Sequence, residues 1–286
     1  MNHDATPGER TKTEDPMVDN PSEDGTQDDG PGTGIGATTT GMPSSAHARR
    51  EAARSFSTAA DIYDAARPGY PDDAVDWMIP AGARSALDVG AGTGKLTSAL
   101  VARGVDVLAV DPSAEMLAVL QRVVPGARTL VGAAEALPAP DGSVDVVTAA
   151  QAWHWVDPDR AGAEAARVLV RGGRLSLVWN IRDERHDWVR RLGEIAGSER
   201  SYRDLGEDPD VGGHFGPFER ARFEWSRSMS LEAVLDLVRS RSWYLTADAS
   251  MRSRMISAVR DIVEDAAVDG AVEMAYITEV FRADRR

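Results

Sequence analysis

Ser85-Ala86-Leu87-Asp88-Val89-Gly90-Ala91-Gly92-Thr93-Gly94-Lys95-Leu96-Thr97 is the stretch from which the rest of the chain is read. A short apolar run ends in an acidic residue, three glycines follow at alternate positions, and an amphipathic run opens at once. That is the pattern of a strand, a tight turn and a helix. Gly90, Gly92 and Gly94 permit backbone angles that side chains forbid and leave room for a ligand to approach the main chain. The first turn of the following helix directs unpaired N–H groups into the same space. A tight turn that holds no ligand would use the same residues.

Spacing narrows the choice of ligand. A dinucleotide fingerprint requires G-x-G-x-x-G, whereas here G-x-G-x-G follows Asp88. Val89 and Leu96 stand where a Walker loop needs Gly and Ser or Thr, which argues against that kind of phosphate binding. Leu87 to Gly94 resembles the first motif of class I S-adenosylmethionine-dependent methyltransferases, in which this loop holds the methionine end of the cofactor. The resemblance implies that Asp88, Gly90, Ala91, Gly92 and Gly94 form part of the cofactor site.

The composition sets outer bounds. With 286 residues, 42% of them hydrophobic, the chain is long enough for a substantial core. It has no cysteine, so disulfides, thiolate metal sites and cysteine nucleophiles are excluded. Neither an eighteen-residue apolar run nor a charged-then-apolar leader is seen, so no membrane or secretory role is expected and a cytoplasmic location is. The net charge of −14 argues against a nucleic-acid partner, which would call for clustered cations. Residues 1–47 carry nine acidic and two basic side chains among Gly, Pro, Ser and Thr, and hold about half of that net charge. Such a segment buries too little apolar surface to offset its ordering entropy, and a disordered acidic tail is expected there. The folded domain is expected over 48–286.

Phe56, Ala59, Ala60 and Tyr63 recur at helical spacing and Pro68-Gly69 ends the run. A plain capping helix fits this pattern. The longer run F-x-x-x-A-x-x-Y-D-x-x-R-P-x-Y-P also resembles the N-terminal lid of small-molecule methyltransferases. In that case Tyr63 covers the cofactor and Arg67 meets its methionine carboxylate. A second strand ends at Asp111, seventeen positions after Gly94, where a carboxylate can accept hydrogen bonds from both hydroxyls of a ribose. Asp111-Pro112-Ser113 is equally a helix-start signal. The resemblance adds Pro112 and Met116 beside the adenine, and Ala134 and Glu135, in the G-x-A-E-x-L-P segment, at its edge.

The fourth strand, Val144 to Ala150, runs into Gln151-Ala152-Trp153-His154-Trp155. Residues just past the carboxyl ends of parallel strands line the crevice of an open α/β sheet. Gln151 and Trp153 are therefore expected at the cofactor, Trp155 at the acceptor, and His154 as a candidate general base, its intrinsic pKa suiting proton removal near neutrality. Trp153 and His154 as a chemically inert pocket wall remains open. Arg171-Gly172-Gly173 reads as a helix stop before a fifth strand, Leu175 to Asn180, whose end offers Trp179 and Asn180 as acceptor contacts. Later, a strand over Phe218 to Met229, helices over Leu231 to Arg241 and Met251 to Asp265, and a last strand near Val272 to Phe281 place a helical lid between the final two strands. Trp243 and Tyr244 on that lid are further acceptor candidates, and 182–271 is the expected substrate region.

Residues 50–286 resemble the methyltransferase type 11 group, which includes trans-aconitate methyltransferase-like proteins. The resemblance implies an α/β, Rossmann-like sheet of seven mostly parallel strands in the order 3-2-1-4-5-7-6, with helices on both faces. It also implies methyl transfer from S-adenosyl-L-methionine to a small molecule at oxygen, carbon or a carboxyl group, by a monomer or homodimer. No metal is expected, because His154, His186 and His214 lack ligand-type spacing. A nicotinamide dehydrogenase and a cofactor-binding regulatory protein without turnover are the competing classes.

Overall fold

The structure, a computed structural model, describes residues 67–199 and 206–286. The expected acidic tail and the Phe56–Tyr63 helix, including Tyr63, lie outside the described residues, as does the Trp243 side chain.

Helix α1 (Asp72–Met78) precedes β1 (Ser85–Val89), α2 (Lys95–Ala102), β2 (Asp106–Asp111), α3 (Ala114–Val123), β3 (Arg128–Val131) and β4 (Val144–Ala150). Then come α4 (Pro158–Val168), β5 (Leu169–Arg182), α5 (Asp187–Ala196) and β6 (Glu219–Ser230). Helices α6 (Leu231–Arg239), α7 (Ser242–Thr246) and α8 (Ala249–Ala266) separate β6 from β7 (Ala271–Asp284). The seven strands form one sheet in the order β3-β2-β1-β4-β5-β7-β6. β1 to β5 pair in parallel, whereas β7 runs antiparallel to both β5 and β6.

The central strands are apolar on both sides because helices cover both sheet faces. Alternate residues divide accordingly. Val146, Val178 and Val280 pack with α1 and α2, while Val147, Leu177, Trp179 and Phe281 pack with α4. Helices α5, α6 and α8 bury a separate apolar cluster against Val272, Met274 and Tyr276 of β7. Several helix starts are set by single side chains: Ser113 accepts from the Met116 N–H, Asp157 from that of Arg160, Ser230 from that of Ala233, and Asp248 from that of Met251.

Two local expectations change. Helix α4 ends at Val168, ahead of the two glycines. Gly172 and Gly173 lie within β5, where the pairing with β4 shifts between Val144 and Val146. The glycines thus form an irregularity in the ladder, with Gly172 at φ +72°, instead of a helix stop. The helical insert holds a third helix, the short α7, that hydrophobic spacing did not reveal.

Candidate active site

β1 and β4 are neighbours although their crossovers diverge, β1 leading outward to β2 and β4 to β5. Such a switch point opens a crevice at the carboxyl ends of the strands. The glycine loop lies on that crevice. Gly90, Gly92 and Gly94 have φ of +65°, +56° and +92°. Their surroundings differ. A Cβ on Gly90 would lie 2.5 Å from the Cβ of Ala152, and one on Gly94 2.7 Å from Leu120, whereas one on Gly92 would meet nothing within 4 Å. The loop is thus packed from behind at two points and open at the third, as a cradle for a ligand lying on main chain requires.

Two buried carboxylates brace it. Asp88 lies beneath the loop, its oxygens accepting from Thr97 Oγ1 at 2.6 Å and Thr148 Oγ1 at 2.8 Å. Burial raises its pKa to about 6 against the opposing pull of those two threonines. It ties β1 to α2 and β4 and presents no oxygen to the cavity. Asp111 accepts from the Gly92 N–H at 2.9 Å and the Ser113 N–H at 2.8 Å, and burial raises its pKa as well. The helix-cap alternative for Asp111 is filled by Ser113. Each Asp111 oxygen spends one lone pair on a backbone N–H and keeps another for a hydroxyl donor. Pro112 follows it directly, and Met116, on the first turn of α3, is buried.

The cavity beside the loop is lined by Gly90 to Thr93, Lys95, Leu96, Ala150, Gln151 and Asn180, and by Arg67, Glu199, Leu237, Arg241 and Tyr276. Gln151 holds φ +55°, uncommon for a residue with a side chain, and donates Nε2–H to the Asn180 carbonyl at 2.9 Å. Asn180 is engaged on all sides, donating to the Gly69 carbonyl at 2.9 Å and accepting from Thr278 Oγ1 at 2.6 Å.

The other predicted residues scatter. Trp179 neighbours Asn180 in β5, so it faces the opposite side of the sheet, where it stands edge-on to Phe281 at 5.9 Å. Its indole N–H donates to His154 Nδ1 at 3.2 Å. Burial, then the nearby Arg67 charge, lowers the His154 pKa to about 4. Trp155 packs beside His154, ring centroids 4.7 Å apart. Trp153 is a core residue whose indole N–H donates to the Asp210 carbonyl at 2.7 Å. Glu135 accepts from the Asp157 N–H at 3.0 Å and fixes the start of α4; Ala134 is buried beside it. Tyr244 packs against the helical insert under the Arg252 guanidinium, 5.6 Å away, and does not line the cavity.

Glu199, Arg241 and Tyr276 of the cavity lining carry no sequence signal, nor does Arg182, which joins them in one cluster through Glu199. Glu199 Oε2 accepts from Arg182 Nε at 2.7 Å, and Glu199 Oε1 accepts from Arg241 Nη2. Burial pushes the Glu199 pKa up, but the two guanidiniums outweigh it and hold the group at about 2. Burial, with the Arg67 charge, lowers Arg241 to about 10.

A seven-stranded 3-2-1-4-5-7-6 sheet with an open glycine cradle and an acidic second-strand tip defines a class I methyltransferase, an enzyme class that takes its methyl group from S-adenosylmethionine. Comparison with known proteins places the chain further. Residues 87–177 match the methyltransferase domain family. The chain is 47% identical over 239 residues to an uncharacterized methyltransferase of Mycobacterium tuberculosis, an alignment covering 82% of this chain and 97% of the relative. It is 35% identical over 202 residues to an uncharacterized methyltransferase-like protein of Schizosaccharomyces pombe, covering 66% of this chain and 78% of that one. A solved structure described as a type II methyltransferase candidate, from Anaeromyxobacter dehalogenans, superposes with a TM-score of 0.57 at 25% identity, over 77% of this chain and 97% of the other. The chain belongs to the methyltransferase type 11 family.

Proposed function

We propose that the chain methylates a small-molecule acceptor at oxygen, carbon or a carboxyl group, within the cavity between the glycine loop and the helical insert. The observation that carries this reading is the pairing of an open Gly92 with an Asp111 carboxylate bonded to it. A bare main-chain surface and a carboxylate then meet the two ends of one nucleoside. In this reading the loop from Gly90 to Gly94, with Gln151 and Arg67, holds the amino-acid portion of S-adenosylmethionine. Asp111 holds the ribose, and Pro112, Met116, Ala134 and Glu135 flank the base. Asp88 acts through the loop it supports.

The cofactor supplies a methyl group already activated as a sulfonium. The protein is left with holding the acceptor in line and excluding water. Leu237 and Arg241, from the helical insert, and Tyr276 of β7 close the far wall. His154 stays neutral in this reading: its Nδ1 lone pair is taken by Trp179, which leaves its proton on Nε2.

Isothermal titration with S-adenosylmethionine and with NAD tests the assignment. Binding of the first at micromolar Kd with no response to the second is expected. The reverse result identifies a dehydrogenase. Tight binding with no homocysteine-containing product across a broad acceptor panel identifies a regulatory protein.

A further inference from the structure

We propose that the acceptor carries an oxyanion, a carboxylate or a phosphate, and that Arg182, Arg241 and the hydroxyl of Tyr276 hold it at the cavity wall. This rests on the methyltransferase reading above. Arg182 of β5 and Tyr276 of β7 are register partners, so their side chains leave the same face of the sheet. Arg241 reaches them from the junction of α6 and α7 and lines the cavity together with Tyr276. One carboxylate, Glu199, serves both guanidiniums. Among the described residues, two buried cations share one anion, which leaves a positive charge. Arg67 lines the same cavity but is not part of this count, so giving it to the cofactor carboxylate leaves the surplus in place.

The hydrogen bonds lead to the same ligand. Arg182 Nη1, Arg241 Nε and the Tyr276 hydroxyl are buried with no hydrogen-bond partner among the described residues. Arg182 is 2% exposed and Tyr276 4%. Buried donors of this kind call for an acceptor, and a buried surplus cation calls for an anion. An oxyanion with two or three oxygens answers both needs through charge-assisted bonds. A neutral acceptor would supply only bonds. The neighbouring amides are already engaged: Gln151 Nε2 donates to the Asn180 carbonyl, Asn180 Nδ2 donates to the Gly69 carbonyl, and Asn180 Oδ1 accepts from Thr278.

The test is isothermal titration of the full chain with succinate, inorganic phosphate and neutral dimethyl succinate at constant ionic strength, with and without saturating S-adenosylhomocysteine. One or both anions are expected to bind and the ester not to bind. Binding by succinate alone marks a carboxylate acceptor, and by phosphate alone a phosphorylated one. Arg241→Gln should weaken anion binding about tenfold or more, and the conservative Tyr276→Phe about threefold to tenfold, with S-adenosylhomocysteine affinity kept within about twofold in both. Absence of anion binding, equal binding by the wild-type chain and Tyr276→Phe, or equal losses of anion and S-adenosylhomocysteine in Arg241→Gln would overturn the proposal. Failure of S-adenosylhomocysteine to bind the wild-type chain would overturn the cofactor reading instead, while the anion arm without it is still read.

Discussion

His154 sits where a general base would be sought, yet its surroundings work against that role. Trp179 donates to Nδ1, and burial with the Arg67 charge brings the pKa to about 4. A base with so low a pKa removes protons weakly at neutral pH. Turnover should therefore show no ionisation attributable to His154 between pH 6 and 8, and His154→Asn should leave the shape of the pH–rate profile unchanged. A pKa near 6.5 that vanishes in this variant would restore the base role. Asp88 makes a second residue-scale prediction. Its pKa is raised from 3.8 to about 6, so the folded chain binds its proton more tightly than the unfolded chain does. Stability from this group is greatest below pH 4 and is lost as pH rises through about 6. Asp88→Asn should thus stabilise the fold by on the order of 2 kcal/mol at pH 7.5, with no gain at pH 4, as read by chemical denaturation. Asp111 differs because it accepts from the loop at Gly92 and, in the proposed reading, also meets the cofactor ribose. Asp111→Ala should weaken S-adenosylmethionine binding about a hundredfold or more by titration calorimetry, through the lost ribose acceptor and a freed Gly92 N–H.

At the scale of the element, the glycine loop separates folding from binding at neighbouring positions. Gly90→Ala drives a methyl group into Ala152 at a positive φ and should destabilise the chain by about 2 kcal/mol or more in thermal unfolding. At Gly92 the new methyl group enters open space, so only the backbone cost of about 1 kcal/mol remains. Gly92→Ala should fold and yet bind the cofactor at least about tenfold more weakly, because the methyl occupies the cradle. Equal stability losses at the two positions would contradict the cradle. Gln151 belongs to the same element logic. Its strained backbone is held by the Gln151 N–H to the Val178 carbonyl and the side-chain bond to Asn180, which fixes the turn after β4 against β5.

For the whole molecule, three buried titratable groups oppose one another across the acid range. His154, neutral when folded, weakens the fold as pH falls from 6.5 toward 4, while Asp88 strengthens it from about 6 toward 4. Glu199 joins β5 to the α6–α7 junction, and its pKa is depressed from 4.5 to about 2. It supplies stability that is present above pH 4.5 and lost toward pH 2. Steep acid unfolding is therefore expected below about pH 4.5. In Glu199→Gln that steep limb should be absent, and the variant should already be weaker by on the order of 3 kcal/mol at pH 7 because two guanidiniums lose their shared counterion.

The legible and illegible parts of this protein divide along the same line. The glycine loop, Asp111 and the strand–helix alternation were readable because each depends on a few neighbouring residues: a turn needs its glycines, a buried parallel strand its apolar run, and a helix its cap. The helical insert was legible as helices, though not its third piece, since five residues are too few for hydrophobic spacing to register. Trp153, Trp179 and Tyr244 were read toward ligands because aromatic residues at strand ends serve packing and binding alike, and only the face each takes separates the two.

What the chain order determined by itself was the half of the cavity proposed for the cofactor, built from 13 consecutive residues and one carboxylate at the next strand tip. The half proposed for the acceptor came from tertiary structure alone. Arg182, Glu199, Arg241 and Tyr276 meet because β7 returns antiparallel beside β5 and the insert between β6 and β7 folds over both. Whether an arginine is a solvated surface charge or a buried cation awaiting an anion depends on what surrounds it, and that is set by contacts between residues distant in the chain.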